Sequence, residues 1–402
     1  MSKKKTICFY AMTAILFALI FIVAVFLRVK TFEYIILLIL IAGLIYLKQS
    51  QRIVRLWQIS LISIGLFFIA CLTTDLTRPN LKVSLSGNLI NNAFQMINRH
   101  YESQHGESFI IKKMETPSNY HFQDWQPPKT YRNQEVHLKH ARAYLLSKKQ
   151  PDASKKVVYQ IHGGGYLSGF SNTYNQAALR YSQSDHHATV FSLDYRTAPK
   201  YRFPAALNDA IDGYRWLLQH GYQPQNIIIA GDSSGAGLSL ALTLYLRDHK
   251  LALPRALVLA SPWTDLTASG SSYHTKVTSD PLFGSSTIKT APKYPVPITY
   301  AGSHNLKDPY LSPAFGNFKG LPPMLIQTGS HELLLSDSTT VVKKARAAHV
   351  QVKFVEFSGM YHIFYISTPQ IPEAQRAWQN ITSFMAKHSR PLRCITRKRI
   401  KR

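Results

Sequence analysis

The sequence predicts an α/β fold for its larger part, a mostly parallel sheet with helices on both faces. Three observations predict it. Short β-branched runs alternate with helical stretches from Val157 to Phe357. The runs read as continuously apolar, as strands buried on both faces should, and Ile227-Ile228-Ile229-Ala230 shows this most plainly. Glycine-rich turns directly follow two of them, at His162–Gly165 and Gly231–Gly235.

The elements follow in order. Ile7 to Leu27 carries no charge and is long enough to cross a hydrocarbon core as a helix. Tyr34–Leu47 is apolar but short for a span, and Leu56–Leu72 is near the lower limit. Lys3, Lys4 and Lys5 resemble the positive start of a signal peptide, but the run is too long for its apolar core and no small-residue cleavage site follows. Membrane insertion is therefore expected. The Lys/Arg bias puts the N-terminus in the cytoplasm, and three spans put the large domain outside it; with only two spans the domain returns to the cytoplasm. From Pro79 to Lys129 the pattern is weak, with one short amphipathic helix expected at Asn92–Tyr101 and the Pro127-Pro128 pair closing the segment. Strands are then expected at Val157–Ile161, Val190–Leu193, Ile227–Ala230, Leu257–Ala260, Met324–Gln327 and Val352–Phe357. Helices are expected at Ala205–His220 and Leu238–His249.

Composition narrows the function. Lys+Arg 47 against Asp+Glu 21 gives a formal charge of +26, which attracts anionic surfaces. The basic tail after Arg390 suits anionic lipid. A nucleic-acid partner is not expected, because no recognisable module interleaves basic residues with aromatic platforms. Three cysteines, two of them in apolar runs, make no disulfide framework, and no Cys/His cluster has zinc-ligand spacing.

The chemistry gathers at strand ends. Gly231-Asp232-Ser233-Ser234-Gly235 matches G-x-S-x-G between a strand and a helix, the setting that exposes a nucleophilic serine hydroxyl. His162-Gly163-Gly164-Gly165 keeps side chains away, so that backbone N–H groups can meet a developing oxyanion together with the Ser234 amide. His362 follows the strand Val352–Phe357 and completes the order Ser…acid…His. For the acid, Glu332 and Asp337 both follow Met324–Gln327, and either could orient the imidazole.

Together these residues resemble the hormone-sensitive-lipase family of α/β-hydrolases. The match runs from about Val157 to Phe384 and also includes Asp194–Pro199, Phe203–Ala206, Ser261–Leu266, Asp308–Pro313 and Gly359–His362. The resemblance implies an α/β-hydrolase fold and a Ser-acid-His esterase that works through an acyl-enzyme, without metal or organic cofactor. It implies Ser233 as nucleophile, His362 as base, Gly164, Gly165 and Ser234 as oxyanion donors, and Glu332 as the acid with Asp337 in reserve. It also implies a small cap built from about Leu81 to Lys129. The expected division is a membrane anchor of two or three transmembrane helices at 1–78, a linker and cap segment at 79–130, the catalytic domain at 131–389 and a basic disordered tail at 390–402.

The expected activity is hydrolysis of hydrophobic esters near a membrane, by an esterase, small lipase or deacetylase. The competing expectation is a catalytically weakened membrane protein of this fold that binds a ligand or partner. His331 beside Glu332 departs from the family's commoner pattern at the acid and is the feature that favours it.

Overall fold

The computed structural model describes residues 83–106, 108–115, 118–150, 156–185, 187–285 and 299–388. The membrane anchor and basic tail expected from the sequence lie outside these residues. Among the described residues no helix is long and apolar enough to cross a membrane.

One eight-stranded sheet organises the chain: β1 Tyr131–His137, β2 Arg142–Lys148, β3 Val157–Ile161, β4 Thr189–Asp194, β5 Ile227–Asp232, β6 Ala256–Ala260, β7 Met324–Gly329 and β8 Val352–Phe357. Their order is β1-β2-β4-β3-β5-β6-β7-β8. β2 pairs antiparallel with both β1 and β4, and all later pairs are parallel. The six expected strands are present, three of them longer at their C-terminal ends. β1 and β2 were not expected. β1 is half polar and exposed at the sheet's edge, with Glu135 bridged to Arg142, so it lacks the apolar run of an interior strand; β2 buries Ala143, Tyr144 and Leu146 but carries charge at both ends, Arg142 and Lys148.

Helices cover both faces. Ile227 and Ile229 of β5 face one core, while Ile228 and Ala230 face the other, the two-residue period of a strand. The first core is closed by α4 (Ala205–Gln219), α5 (Ser233–Asp248) and α7 (Leu335–Ala347). The second is closed by α3 (Asn172–Ser184) and α9 (Pro372–His388). Each fully buried Leu, Ile or Val contributes about 1.5–3 kcal/mol, so this double burial dominates the domain's stability. The two remaining short helices of this body are α6 (Ser272–Thr275) and α8 (Phe364–Ser367).

Ahead of the sheet stand α1, Leu85–His105, and α2, Phe109–Glu115. α1 is 21 residues long, twice the reach expected from Asn92–Tyr101. Ser84 caps its start by accepting from the Gly87 N–H at 3.0 Å, and Gly106 ends it with a left-handed φ of 71°.

Between β3 and β5 the strand order reverses: the chain leaves β3 for β4 on one side and later returns to β5 on the other. Crevices at such a reversal, outside the carboxyl ends of parallel strands, are where open α/β sheets take ligands. Both glycine-rich turns end there.

Candidate active site

β5 passes into α5 with no intervening loop, and Ser233 sits at the junction with a left-handed φ of 53°. A non-glycine residue in that conformation is strained, and such strain clusters at functional sites. The turn needs glycine at 235, because a Cβ there would overlap the backbone carbonyl oxygens of Ile161 and His162. This close approach brings the end of β3 against the first turn of α5, whose leading N–H groups have no intrahelical acceptor. Ser234 is in that turn.

The loop after β3 turns through Gly164 and Gly165, both at positive φ. Its position is set from several sides. The Gly163 N–H donates to the Tyr174 hydroxyl at 3.0 Å, which in turn donates to Asp232 Oδ2 at 3.2 Å. His162 lies flat on Tyr195 with ring centroids 4.1 Å apart, and the Tyr195 hydroxyl donates to the His162 carbonyl at 2.9 Å. Burial pushes the His162 pKa down and that of Asp232 up to about 7. A neutral His162 imidazole fits a role in packing.

His362 follows β8, and its Nδ1 is 2.9 Å from Glu332 Oε2. Both side chains are buried. Ser261 Oγ donates to Glu332 Oε1 at 2.7 Å, and the Gly329 N–H donates to the same oxygen. With its oxygens engaged this way the carboxylate is held at one angle to the ring. Nδ1 then carries its proton toward Glu332, and Nε2 is left as the basic nitrogen. Nε2 is buried, has no hydrogen-bond partner among the described residues, and belongs to a residue that lines the same cavity as Ser233.

Asp337 is engaged elsewhere. Its Oδ2 accepts from the N–H groups of Thr264 and Asp265 at 2.7 and 2.8 Å, and burial raises its pKa to about 8. The structure therefore brings Glu332, not Asp337, to the imidazole. His331 takes part through its backbone: its N–H donates to the Met360 carbonyl at 3.0 Å and fastens the turn that carries His362.

The cavity over Ser233 measures about 550 Å³. Gly163 and Gly164 form part of its floor, Leu282 and Phe283 one wall, and Phe94 and Ile110 of the two leading helices another. The Phe283 ring meets His362 edge-on at 5.0 Å. Sequence reading missed this wall and the residue that holds it, Asp280. Asp280 Oδ1 accepts from the N–H groups of Leu282 and Phe283, and Oδ2 from the Leu333 N–H at 2.7 Å. The signal was present only as a buried acid outside any motif, since the groups it joins are fifty residues apart. Among the described residues no group of three His, Cys, Asp or Glu side chains gathers as a metal site would need.

The comparisons agree on the kind of protein. A family profile described as an alpha/beta hydrolase fold matches residues 157–366. An acetyl-hydrolase of Streptomyces hygroscopicus is 34% identical over 230 residues, covering 57% of this chain and 75% of that protein. An esterase of Acinetobacter venetianus is 35% identical over 232 residues, covering 58% and 75%. Among solved structures, an esterase/lipase from an uncultured bacterium superposes with a TM-score of 0.64 at 31% identity, covering 74% of this chain and 98% of that one. An esterase described as a member of the bacterial hormone-sensitive lipase family gives 0.60 at 29% identity, over 70% and 96%.

Proposed function

This chain belongs to the α/β-hydrolase fold family and is a serine hydrolase of the hormone-sensitive-lipase type, and on that premise we propose that it cleaves small hydrophobic carboxylic esters through an acyl-enzyme on Ser233. The observation that carries the reading is the 2.9 Å pairing of His362 Nδ1 with Glu332 while Nε2, unpartnered among the described residues, lies beside the serine's cavity.

In the first half-reaction Ser233 Oγ attacks the ester carbonyl and its proton passes to His362 Nε2. Glu332 stabilises the resulting imidazolium. The carbonyl oxygen becomes an oxyanion held by the Gly164, Gly165 and Ser234 amides. Collapse of the tetrahedral intermediate breaks the bond to the alcohol oxygen, which leaves with the proton from Nε2. Water then gives a proton to Nε2, attacks the acyl-serine, and the acid departs as Ser233 regains its proton.

The volume and apolar walls suit a short or medium acyl group, in keeping with a relative that is an acetyl-hydrolase. The apolar runs before Pro79 support a location at a membrane, where such esters partition, and with three spans the Lys/Arg bias leaves the catalytic domain outside the cytoplasm. The test is turnover of p-nitrophenyl butyrate and labelling by a fluorophosphonate. Ser233→Ala should lower kcat by about 10⁴-fold or more and abolish labelling. Labelling that survives the substitution sinks the mechanism.

A further inference from the structure

The helix α1 sets polar side chains against the body beside Ile90 and Phe94. Toward the body it turns amides and one acid: Asn88, Asn91, Asn98 and Glu102 are buried. Asn91 Nδ2 donates to the Gly359 carbonyl at 2.6 Å, Gln95 to Thr278 at 3.0 Å and Asn98 to Gly284 at 3.0 Å. Glu102 receives the Ser285 hydroxyl. On the far side Met96 is 69% exposed and Ile97 49%. Phe109 at the start of α2 extends the patch. Its N–H is held by Asn98 Oδ1, and its ring packs edge-on to Tyr101, one turn beyond Ile97. Among the described residues four large hydrophobic side chains are exposed, and these are three of them. Apolar exposure concentrated this way marks a docking surface.

The preceding chain says what docks. Ten residues separate the last apolar run, Leu56–Leu72, from Val83. Ten extended residues reach at most about 36 Å, little more than one hydrocarbon core. If that run spans, α1 starts close to the bilayer, and exposed Arg99 and Lys113 on these two helices favour anionic lipid there. Phe94 and Ile110, on these same two helices, line the cavity over Ser233.

We propose that Met96, Ile97 and Phe109 rest on an anionic bilayer surface beside the last span, so that the cavity draws its ester from the lipid interface. The proposal deepens the membrane reading above and rests on it.

The test uses the full chain in vesicles of phosphatidylglycerol and phosphatidylcholine, with Cys8, Cys71 and Cys394 replaced by serine. A bimane is placed at Ile97→Cys or, at the far end of α5, at His249→Cys. The label at 97 should be quenched by brominated acyl chains and the label at 249 should not. Met96→Ser with Ile97→Ser should keep wild-type turnover of p-nitrophenyl acetate in solution but lose about tenfold in kcat/KM on p-nitrophenyl octanoate dissolved in the vesicles. A label at 97 that stays in water overturns the proposal. So does one shielded without lipid quenching, which would mean that another part of this chain or a second copy covers the patch. Equal losses on both esters overturn it too, since the face would then act in folding. Release of the chain by alkaline carbonate refutes the spans alone, and silence in both ester assays refutes the esterase reading. Neither alters what the label reports.

Discussion

Two helices that border the cavity over Ser233 are buried by different means. α5 is enclosed on nearly every side, and what it buries is Leu238, Leu240, Leu242 and Leu244 together with small residues. α1 lies across the site on Asn88, Asn91 and Asn98, and keeps Met96 and Ile97 outside. The first helix is held by apolar mass, which is strong and indifferent to direction. The second, beside the packing of Ile90 and Phe94, is held by hydrogen bonds from side-chain amides to single carbonyls on the turns carrying His362 and Phe283, which are weaker but fix an orientation. The packed helix carries Ser233, while the directional one borders the space over it.

Breaking the packed side should cost most. Gly235→Ala puts a methyl group against the Ile161 and His162 carbonyls, so α5 must part from β3. Destabilisation of about 3 kcal/mol or more is expected, read as a fall in Tm of the detergent-solubilised chain, with esterase activity lost in parallel. An unchanged Tm would show that the close approach is dispensable.

Breaking the directional side should cost less in stability and register in catalysis. Asn91→Ala leaves the buried Gly359 carbonyl without its amide donor, at about 1–3 kcal/mol. Because Gly359 opens the turn to His362, kcat should fall severalfold on soluble p-nitrophenyl butyrate, more than KM rises. A change in KM alone would confine α1 to substrate binding.

The two kinds of polar pin also separate by pH. The Asn bonds of α1 are neutral, whereas the bonds to Thr264 and Asp265 depend on Asp337, whose pKa burial raises to about 8. A carboxyl whose folded pKa lies above its unfolded value stabilises most below about pH 4 and loses that contribution as pH rises toward 8. The wild-type Tm should therefore decline from pH 5 to pH 8 relative to Asp337→Asn, while Asn91→Ala runs parallel to wild type. Parallel curves for all three would show that Asp337 is ionised throughout.

The interior strands, the turn at Ser233 and the loop at Gly163–Gly165 were legible in the sequence. Each is a local pattern: an uninterrupted apolar run, or glycines at fixed offsets from a serine or histidine. The length of α1 was not legible, because hydrophobic periodicity is the signal for a helix and this helix buries amides. The edge strand β1 escaped for a related reason, since pairing at an edge leaves half of it polar.

The sequence by itself determined which strands fill the centre of the sheet and where the serine turn falls, because those depend on residues adjacent in the chain. Which carboxylate meets His362 was decided only by tertiary structure. Glu332 and Asp337 are five positions apart and alike in chemistry. Entry into α7 carries Asp337 to the Thr264 and Asp265 amides, while Glu332 stays at the mouth of β7 where Ser261 and Gly329 hold it. The same holds for Asp280, whose partners are its own loop and Leu333. Direction in space, set by where a helix begins, sorts groups that composition and spacing leave equal.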